Sequence, residues 1–514
     1  MLPPMAPVNI AKHITQQFGG YDAREASQGA VGMTNMCSDD FPYVSSRTPR
    51  YKIKTATSLT ALGAYDKLFM VDGTDFIYDG VAKGSVTAGA KQIAALNDNI
   101  VILPDNKYYD TVADTFGSLK LSWTGSISFA DGTLYGEPAS ANTIETSGVA
   151  FAFSPGDAVT ISGCTTYTEN NQTSIIREIS DDKKKLYFYE NIFTVGAEAG
   201  TVTLLRDVPD MEFICECGNR LWGCKGDTIY ASALGDINNW NKFDGVATDS
   251  WSVDVGSAGS FTGCCSYLGY PIFFKEEVIY KIFGSKPSNF TAEESARMGV
   301  AAGSDKSLAV AGEVLFYLSR AGVMAYTGGI PENISAPFGD VRYSNAVGGS
   351  DGIKYYISMQ DTSNAWHLFV FDPRYNMWHR EDATHAVGFG WQGKFYIAVS
   401  SGLWCTSAGA GTAEASVLWE YETGDLYEND TNRKAVGKIL IRTELSQGAE
   451  LKIEIKYDNG EWKTISTITA AAKTSYYLPL IPRRCDMYRL RLSGKGDVTL
   501  YSIAKEAIHG SPLR

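Results

Sequence analysis

Histidine is scarce in this chain. Five of 514 residues carry an imidazole, at His13, His367, His379, His385 and His509, and no two of them form an H-E-x-x-H arrangement. The side chain best suited to moving protons near neutral pH is therefore almost missing, and each lone strand histidine reads as packing. No apolar run approaches the ~18 residues of a membrane-spanning helix, so no stable membrane insertion is expected. Met1-Leu2-Pro3-Pro4 has no basic segment leading into an apolar one, which predicts a chain not addressed for secretion. Nine cysteines, an odd number without regular spacing, argue against a disulfide framework and for folding in a reducing cytosol. Basic charge is short as well: 45 Lys and Arg face 58 Asp and Glu, a net charge of -13 that excludes a whole-surface grip on nucleic-acid phosphates. No phosphate-cradling glycine motif is present, and no cofactor is expected. Sustained helical periodicity is missing too. Ala61 to Leu68 and Ala470 to Lys473 contain helix formers but keep no apolar face for three turns.

What the chain does have is turn and aromatic residues: 51 Gly, 29 Tyr and an aromatic share of 12%. A hydrophobic share of 44% supplies ample core, and the length predicts two to four domains. One phrase keeps returning, an apolar run, a turn of Gly, Asp, Asn or Ser, then a second run rich in aromatics. It reads Leu68-Phe69-Met70-Val71 before Phe76-Ile77-Tyr78, and Ile100 to Leu103 before Tyr108-Tyr109. It returns as Leu221-Trp222 before Thr228-Ile229-Tyr230, Ile272-Phe273-Phe274 before Val278-Ile279-Tyr280, and Val314 to Tyr317 before Val323 to Tyr326. The last two copies are Tyr355-Tyr356-Ile357 before His367 to Phe371, and Phe395-Tyr396-Ile397 before Leu403-Trp404. Each phrase is a hairpin whose strands are covered on both faces. From Tyr230 onward the copies recur at close to the ~40–50 residues of a four-stranded propeller blade. The predicted fold class is all-β: a β-propeller of six or seven blades, with an inserted small β-barrel and a C-terminal β-sandwich. Stacked β-sandwiches are the rival architecture, but they give no reason for one recurring hairpin.

The expected divisions are an extended N-terminal arm over 1–52, a first part of the propeller over 53–114, and the inserted barrel over 115–208. The remainder of the propeller spans 209–412, and the sandwich-like module 413–514. The arm carries Pro3, Pro4, Pro7, Pro42 and Pro49 and is read as gaining structure by lying on another surface. Candidate chemistry is thin. Cys215, Cys217 and Cys224 have the wrong spacing for zinc and read as core thiols. Asp39-Asp40, Asp181-Asp182 and Glu276-Glu277 read as solvated turn charge. Ser232-Ala233-Leu234-Gly235-Asp236 with Trp240 echoes the structural Asp-box of sialidase-type propellers at an altered spacing.

Several phrases carry a resemblance. Met33-Thr34-Asn35-Met36-Cys37-Ser38-Asp39-Asp40-Phe41-Pro42 running to Arg47-Thr48-Pro49-Arg50 resembles the start of bacteriophage and prophage tail proteins. So do Gly218-Asn219-Arg220-Leu221-Trp222-Gly223 leading to Asp227 through Ser232, Tyr267 through Glu276, Gly284-Ser285-Lys286-Pro287, and Ile481-Pro482-Arg483-Arg484-Cys485-Asp486. The class most resembled is the tail nozzle, or tail hub, of short-tailed phages. That resemblance implies a structural virion protein of the tail, assembled in the host cytoplasm, and not an enzyme. It implies a ring of sixfold order with copies of itself, contact with the adaptor near the portal, docking of tail fibres or spikes, and passage of double-stranded DNA without specific binding. Asn35, Asp39, Pro42, Arg47 and Arg50 are the candidate assembly-arm contacts. Two further readings stand beside this one: a peripheral carbohydrate-binding, receptor-binding module that stacks Tyr and Trp on sugars, and a propeller glycosidase, which needs paired carboxylates.

Overall fold

The computed structural model describes residues 10–24, 29–132, 140–408, 411–428 and 433–509. Among them there is no α-helix, only short 3-10 turns such as Thr168–Asn170 and Asp305–Ser307, and no helix is long and apolar enough to cross a membrane. The chain divides into two compact units, one of residues 69–300 and one of residues 1–68 with 301–514.

The contiguous unit contains two complete antiparallel meanders of the kind the recurring phrase predicts in its own half: Phe213–Glu216, Leu221–Lys225, Thr228–Ala231 and Trp251–Asp254, then Gly263–Tyr267, Tyr270–Phe274, Ile279–Phe283 and Thr291–Ser295. A third, Gln92–Leu96, Asn99–Leu103, Lys107–Asp110 and Thr115–Ser118, precedes them, and the hairpin of Leu68–Asp72 with Asp75–Tyr78 is extended by Val81–Ser85. The recurring phrase is in every case the central hairpin, which explains its composition. A strand with a partner on each side and sheets above and below has no solvent face, so it is apolar throughout: Ile100, Val101 and Ile102 are fully buried, as are Phe273 and Phe274. The turns take the backbone the hairpins need, with Gly73 at φ 64° in the two-residue connection of the first.

Between these sheets, eight strands from Leu121–Gly125 to Val202–Arg206 form one antiparallel sheet around a core of Trp123, Phe129, Phe151, Phe153, Ile176 and Phe188. Thr173–Ile179 passes between its two halves, and its register with Lys185–Phe188 shifts between Ile176 and Glu178. These strands share a core of their own, and Thr115–Ser118, within the segment expected to be inserted, closes the preceding meander.

The second unit holds two more meanders. One is Ala309–Ala311, Val314–Ser319, Gly322–Tyr326 and Glu332–Asn333; the other is Tyr343–Ser350, Tyr355–Asp361, Trp366–Asp372 and Met377–Arg380. The sheet of Gly388–Trp391, Phe395–Val399 and Gly402–Cys405 takes its next strand from far upstream, since Gly402–Cys405 pairs with Tyr51–Thr55. Beyond it, two sheets face each other over one core of Trp419, Ile439, Ile441, Leu451, Ile453, Leu490, Leu492 and Leu500, the expected sandwich.

The N-terminal segment corrects the expectation of an arm lying on another surface. Ile10–Thr15 pairs along Val498–His509, Ala30–Thr34 along Leu418–Thr423, and Met36–Cys37 with Val44–Ser46, which itself adds to Val498–His509. Met33, Met36 and Val44 are buried in the sandwich core. The segment lacked periodicity because its strands are short and three of them take a partner from residues 418–423 or 498–509.

Candidate functional site

Four of the five nominated residues of the N-terminal segment, Asn35, Asp39, Arg47 and Arg50, come together beside the sheet that Tyr51–Thr55 completes. Asn35 stands in left-handed backbone at φ 52° between two short strands, a conformation that Asn tolerates better than most residues. Its amide nitrogen donates to the carbonyl of Leu418 at 2.7 Å, and its Oδ1 accepts from Nε of Arg47 at 2.7 Å. Arg47 and Arg50 are both buried. Arg47 Nη1 bonds Glu414, and Nη2 lies 3.4 Å from Asp382. Arg50 donates through Nη2 to Glu381 at 2.5 Å and through Nη1 to Thr384 at 2.8 Å, while its backbone N–H donates to Glu414 Oε1 at 2.9 Å. Asp39 pairs with Lys354 at 2.5 Å, and the neighbouring Ser38 donates to the buried Asp372 at 2.7 Å.

Two guanidiniums and three carboxylates thus share one largely dry site. Burial alone would push Asp382 up, but Arg50 and Arg47 pull its carboxyl below the ordinary value. Burial works against the charge on Arg50, and Glu381 and Asp382 more than restore it, so its proton is held more firmly than usual. This cluster is an anchor: fork-shaped Arg side chains match carboxylates in two bonds at once and fix the strand that follows. The assembly-contact reading of Asn35, Arg47 and Arg50 is corrected accordingly, because their polar atoms are spent within the chain. Pro42 and Asp39 remain exposed at the surface, Pro42 next to a stacked pair of Phe41 and Tyr375 at 4.0 Å.

On the outer side of the anchor lies an open cleft of about 450 Å³, with Asp382, Thr384, Trp404, Ser400, Ser401 and Glu414 among its walls. Trp404 enters it because the register of Gly402–Cys405 against Tyr51–Thr55 shifts between Leu403 and Trp404, and such a bulge re-aims a side chain. The ring is half-buried, packed against Ala386, Phe395 and Ile397. His385, also on the wall, stacks on Trp366 with 3.6 Å between ring centroids, and burial lowers its proton affinity. On the inner side, His379 lines a small cavity with both ring nitrogens lacking a hydrogen-bond partner, and burial pushes its pKa down to about 4.

The other nominated groups scatter. His13 sits 3.3 Å from Glu428, and His367 bonds Asp361 at 2.7 Å; the side chain of His509 lies outside the described residues. Cys215, Cys217 and Cys224 are core thiols as expected, all nine cysteines are free, and no metal-holding group of His, Cys, Asp and Glu occurs among the described residues. Asp182 caps its own turn through Ser180 at 2.6 Å. In the Asp-box-like phrase, Asn239 bonds Asp236 at 2.6 Å and Trp240 donates to the carbonyl of Ile237 at 3.0 Å, a structural turn. Sequence reasoning passed over Gly348-Gly349-Ser350-Asp351-Gly352, which spells G-x-S-x-G. Here it is a strand-to-strand turn in which Ser350 Oγ accepts from the N–H of Gly352 at 2.9 Å, and the strand-to-helix elbow that exposes a nucleophilic Ser is not built. The anchor carboxylates Glu381 and Glu414 were also missed, because nothing local marks them: their partners lie more than 300 residues away.

No family model matches the chain, and no curated protein matches it. Among solved structures, an exo-β-1,3-galactanase from Phanerochaete chrysosporium with galactose matches at 8% identity and a TM-score of 0.22, over 57% of this chain and 94% of that one. The phage phi92 endosialidase matches at 8% identity and a TM-score of 0.25, over 79% and 70%. An arabinoxylan arabinofuranohydrolase from Bacillus subtilis matches at 8% and a TM-score of 0.15, over 88% and 96%. The expectation that the chain is not an enzyme finds no support in these matches, whose proteins are named a galactanase, an endosialidase and an arabinofuranohydrolase. At such TM-scores they assign no reaction to this chain.

Proposed function

We propose that the chain is a tail nozzle or hub subunit of a short-tailed phage, a structural component of the virion tail assembled in the host cytoplasm. The observation that carries this reading is where the tail-protein-like phrases fall: on residues that close the fold. Asn35, Ser38, Asp39, Arg47 and Arg50 anchor the N-terminal segment. Arg220 donates to the carbonyls of Ser232 and Ala247 at 2.7 Å each and so organises the loop that follows its hairpin. A resemblance carried by closure residues is one of architecture, which is what a structural subunit keeps.

In this reading the meanders form a seven-bladed propeller. Tyr51–Thr55 locks the sheet of residues 388–405. The eight-stranded module is a small barrel set into the ring of blades. Copies of the chain, six in number, make a closed ring through heterologous contacts. The ring meets the adaptor on one side, carries fibres or spikes at its periphery, and lets double-stranded DNA through its lumen. A net charge of -13 supports passage without adhesion. Cryo-electron microscopy of virions tests the reading: density for this chain in a ring on the tail axis is expected, and density off the axis overturns it.

A further inference from the structure

We propose that the cleft beside the anchor binds a neutral hexose-containing saccharide, a function separate from ring assembly and independent of whether that assembly occurs. Its volume of about 450 Å³ falls within the roughly 300–1,000 Å³ of small-molecule sites. Its walls have the chemistry that sugars require. One aromatic side chain, Trp404, offers apolar surface for the C–H face of a pyranose. Around it stand acceptors and hydroxyls for the ring's polar edge: the carboxylates of Asp382 and Glu414 and the hydroxyls of Thr384, Ser400 and Ser401.

The preorganisation is specific. Asp382 and Glu414 are held by Arg47 and Arg50, so they are fixed in place without a ligand, and fixed groups lose little entropy on binding. Ser400 and Ser401 have their carbonyls committed to Leu59 at 2.9 Å and Ala56 at 3.1 Å, while among the described residues neither hydroxyl is engaged in a hydrogen bond within the chain. The turn is rigid and its hydroxyls are on offer. Charge decides the class of sugar. Arg50 on the wall and Lys52, whose Nζ stands 5.9 Å from the Trp404 ring, balance Asp382 and Glu414, so the cleft has no surplus cation with which to hold a carboxylated sugar. A neutral hexose presents only hydroxyls, which donate to the two carboxylates.

The test is saturation-transfer NMR and calorimetry on the full chain with galactobiose, cellobiose, maltose and sialyllactose. At least one neutral disaccharide binds and sialyllactose does not. Trp404→Ala weakens binding at least tenfold. Because Trp404 also packs on Ile397, a second variant guards against a folding defect: Ser401→Trp leaves the native ring in place, fills the cleft from its exposed turn, and weakens binding at least tenfold with an unchanged melting temperature. Absence of binding by all three neutral disaccharides, preference for sialyllactose, or binding that Ser401→Trp leaves intact would each overturn the proposal.

Discussion

Replacing Arg50 with Ala removes the centre of the anchor, and the structure sets the size of the effect. The side chain is buried, bonded to Glu381 at 2.5 Å, to Thr384 at 2.8 Å and paired with Asp382 at 3.0 Å. Removing one partner of a buried ion pair costs about 3–5 kcal/mol, because the remaining charge keeps its desolvation penalty. Arg47 stays within 3.7 Å of Glu381 and 3.4 Å of Asp382, which places the loss near the lower end. At roughly 2–4 °C per kcal/mol for a unit of this order, the melting temperature falls by about 6–12 °C. Arg50→Lys keeps the charge without the fork and falls by less. The dependence on pH gives a second, sharper readout. Asp382 is depressed in the folded state, so it contributes stability above its unfolded value of about 3.9, and that stability is lost as pH falls through the lower folded value. Without Arg50 the depression is relieved, so the variant's deficit is largest near neutrality and shrinks as both proteins are acidified. Differential scanning calorimetry from pH 7 to 3 follows both. A deficit under about 2 °C at pH 7, or one constant across that range, would refute the anchor.

His379 gives a signature of the same sign on the same unit, in a higher pH window. Its folded pKa of about 4 lies below the ~6.5 of an unfolded imidazole, so acidification from about 6.5 to 4 protonates only the unfolded chain. That range costs about 3 kcal/mol by linkage, and His379→Phe should flatten stability across it in chemical denaturation. In the other unit, Arg206 is buried and reaches both oxygens of Asp157 at 3.0 and 3.1 Å and the carbonyl of Leu119. Arg206→Met should cost about 3–5 kcal/mol and open the eight-stranded module to protease before the sandwich. The cysteines should be silent to a thiol reagent in the native state, since seven of nine are buried and Cys37 is pushed up to about 12 by burial and Asp39. Rapid modification of Cys37 in the folded protein would contradict its placement.

The central hairpins were legible in the sequence because their signal is local: two apolar runs and a turn fit inside about a dozen residues. Within Lys434–Leu445 and Glu450–Tyr457, the runs from Lys438 to Arg442 and from Leu451 to Tyr457 carry a signal that is local in the same way, with Ile439, Ile441, Leu451 and Ile453 on the buried side. The outer strands of each meander, such as Val81–Ser85 and Glu332–Asn333, were not legible, because an exposed edge places few demands on composition. The anchor was half legible. Asn35, Arg47 and Arg50 stood out by resemblance, yet their burial could not be read from neighbours that are themselves polar. What fixes them is Glu381, Asp382 and Glu414, and pairing across such separations leaves no periodic trace.

That long-range closure also dictates how the chain can fold. Residues 69–300 are contiguous and form a unit by themselves, with cores built wholly from within, such as the one around Trp222, Ile229, Phe273 and Tyr280. The other unit cannot be completed until the last residues exist, because Ile10–Thr15 pairs with residues 503–508 and Val44–Ser46 with Leu500 and Thr499. Arg47 and Arg50 have no carboxylate partners until residues 381–414 exist, and Met33, Met36 and Val44 have no complete core to enter until the C-terminal strands are made. Closing such separations costs entropy before any contact offsets it, and the cost falls on one unit only. Expressed alone, residues 69–300 should therefore be soluble and unfold cooperatively. Residues 301–514 alone should bind a hydrophobic dye and be cut rapidly by protease, and a co-expressed segment of residues 1–68 should restore protection. Were residues 301–514 to fold to the same stability without that segment, its strands would be decoration on a finished sandwich, and the anchor would have no part in holding the unit together.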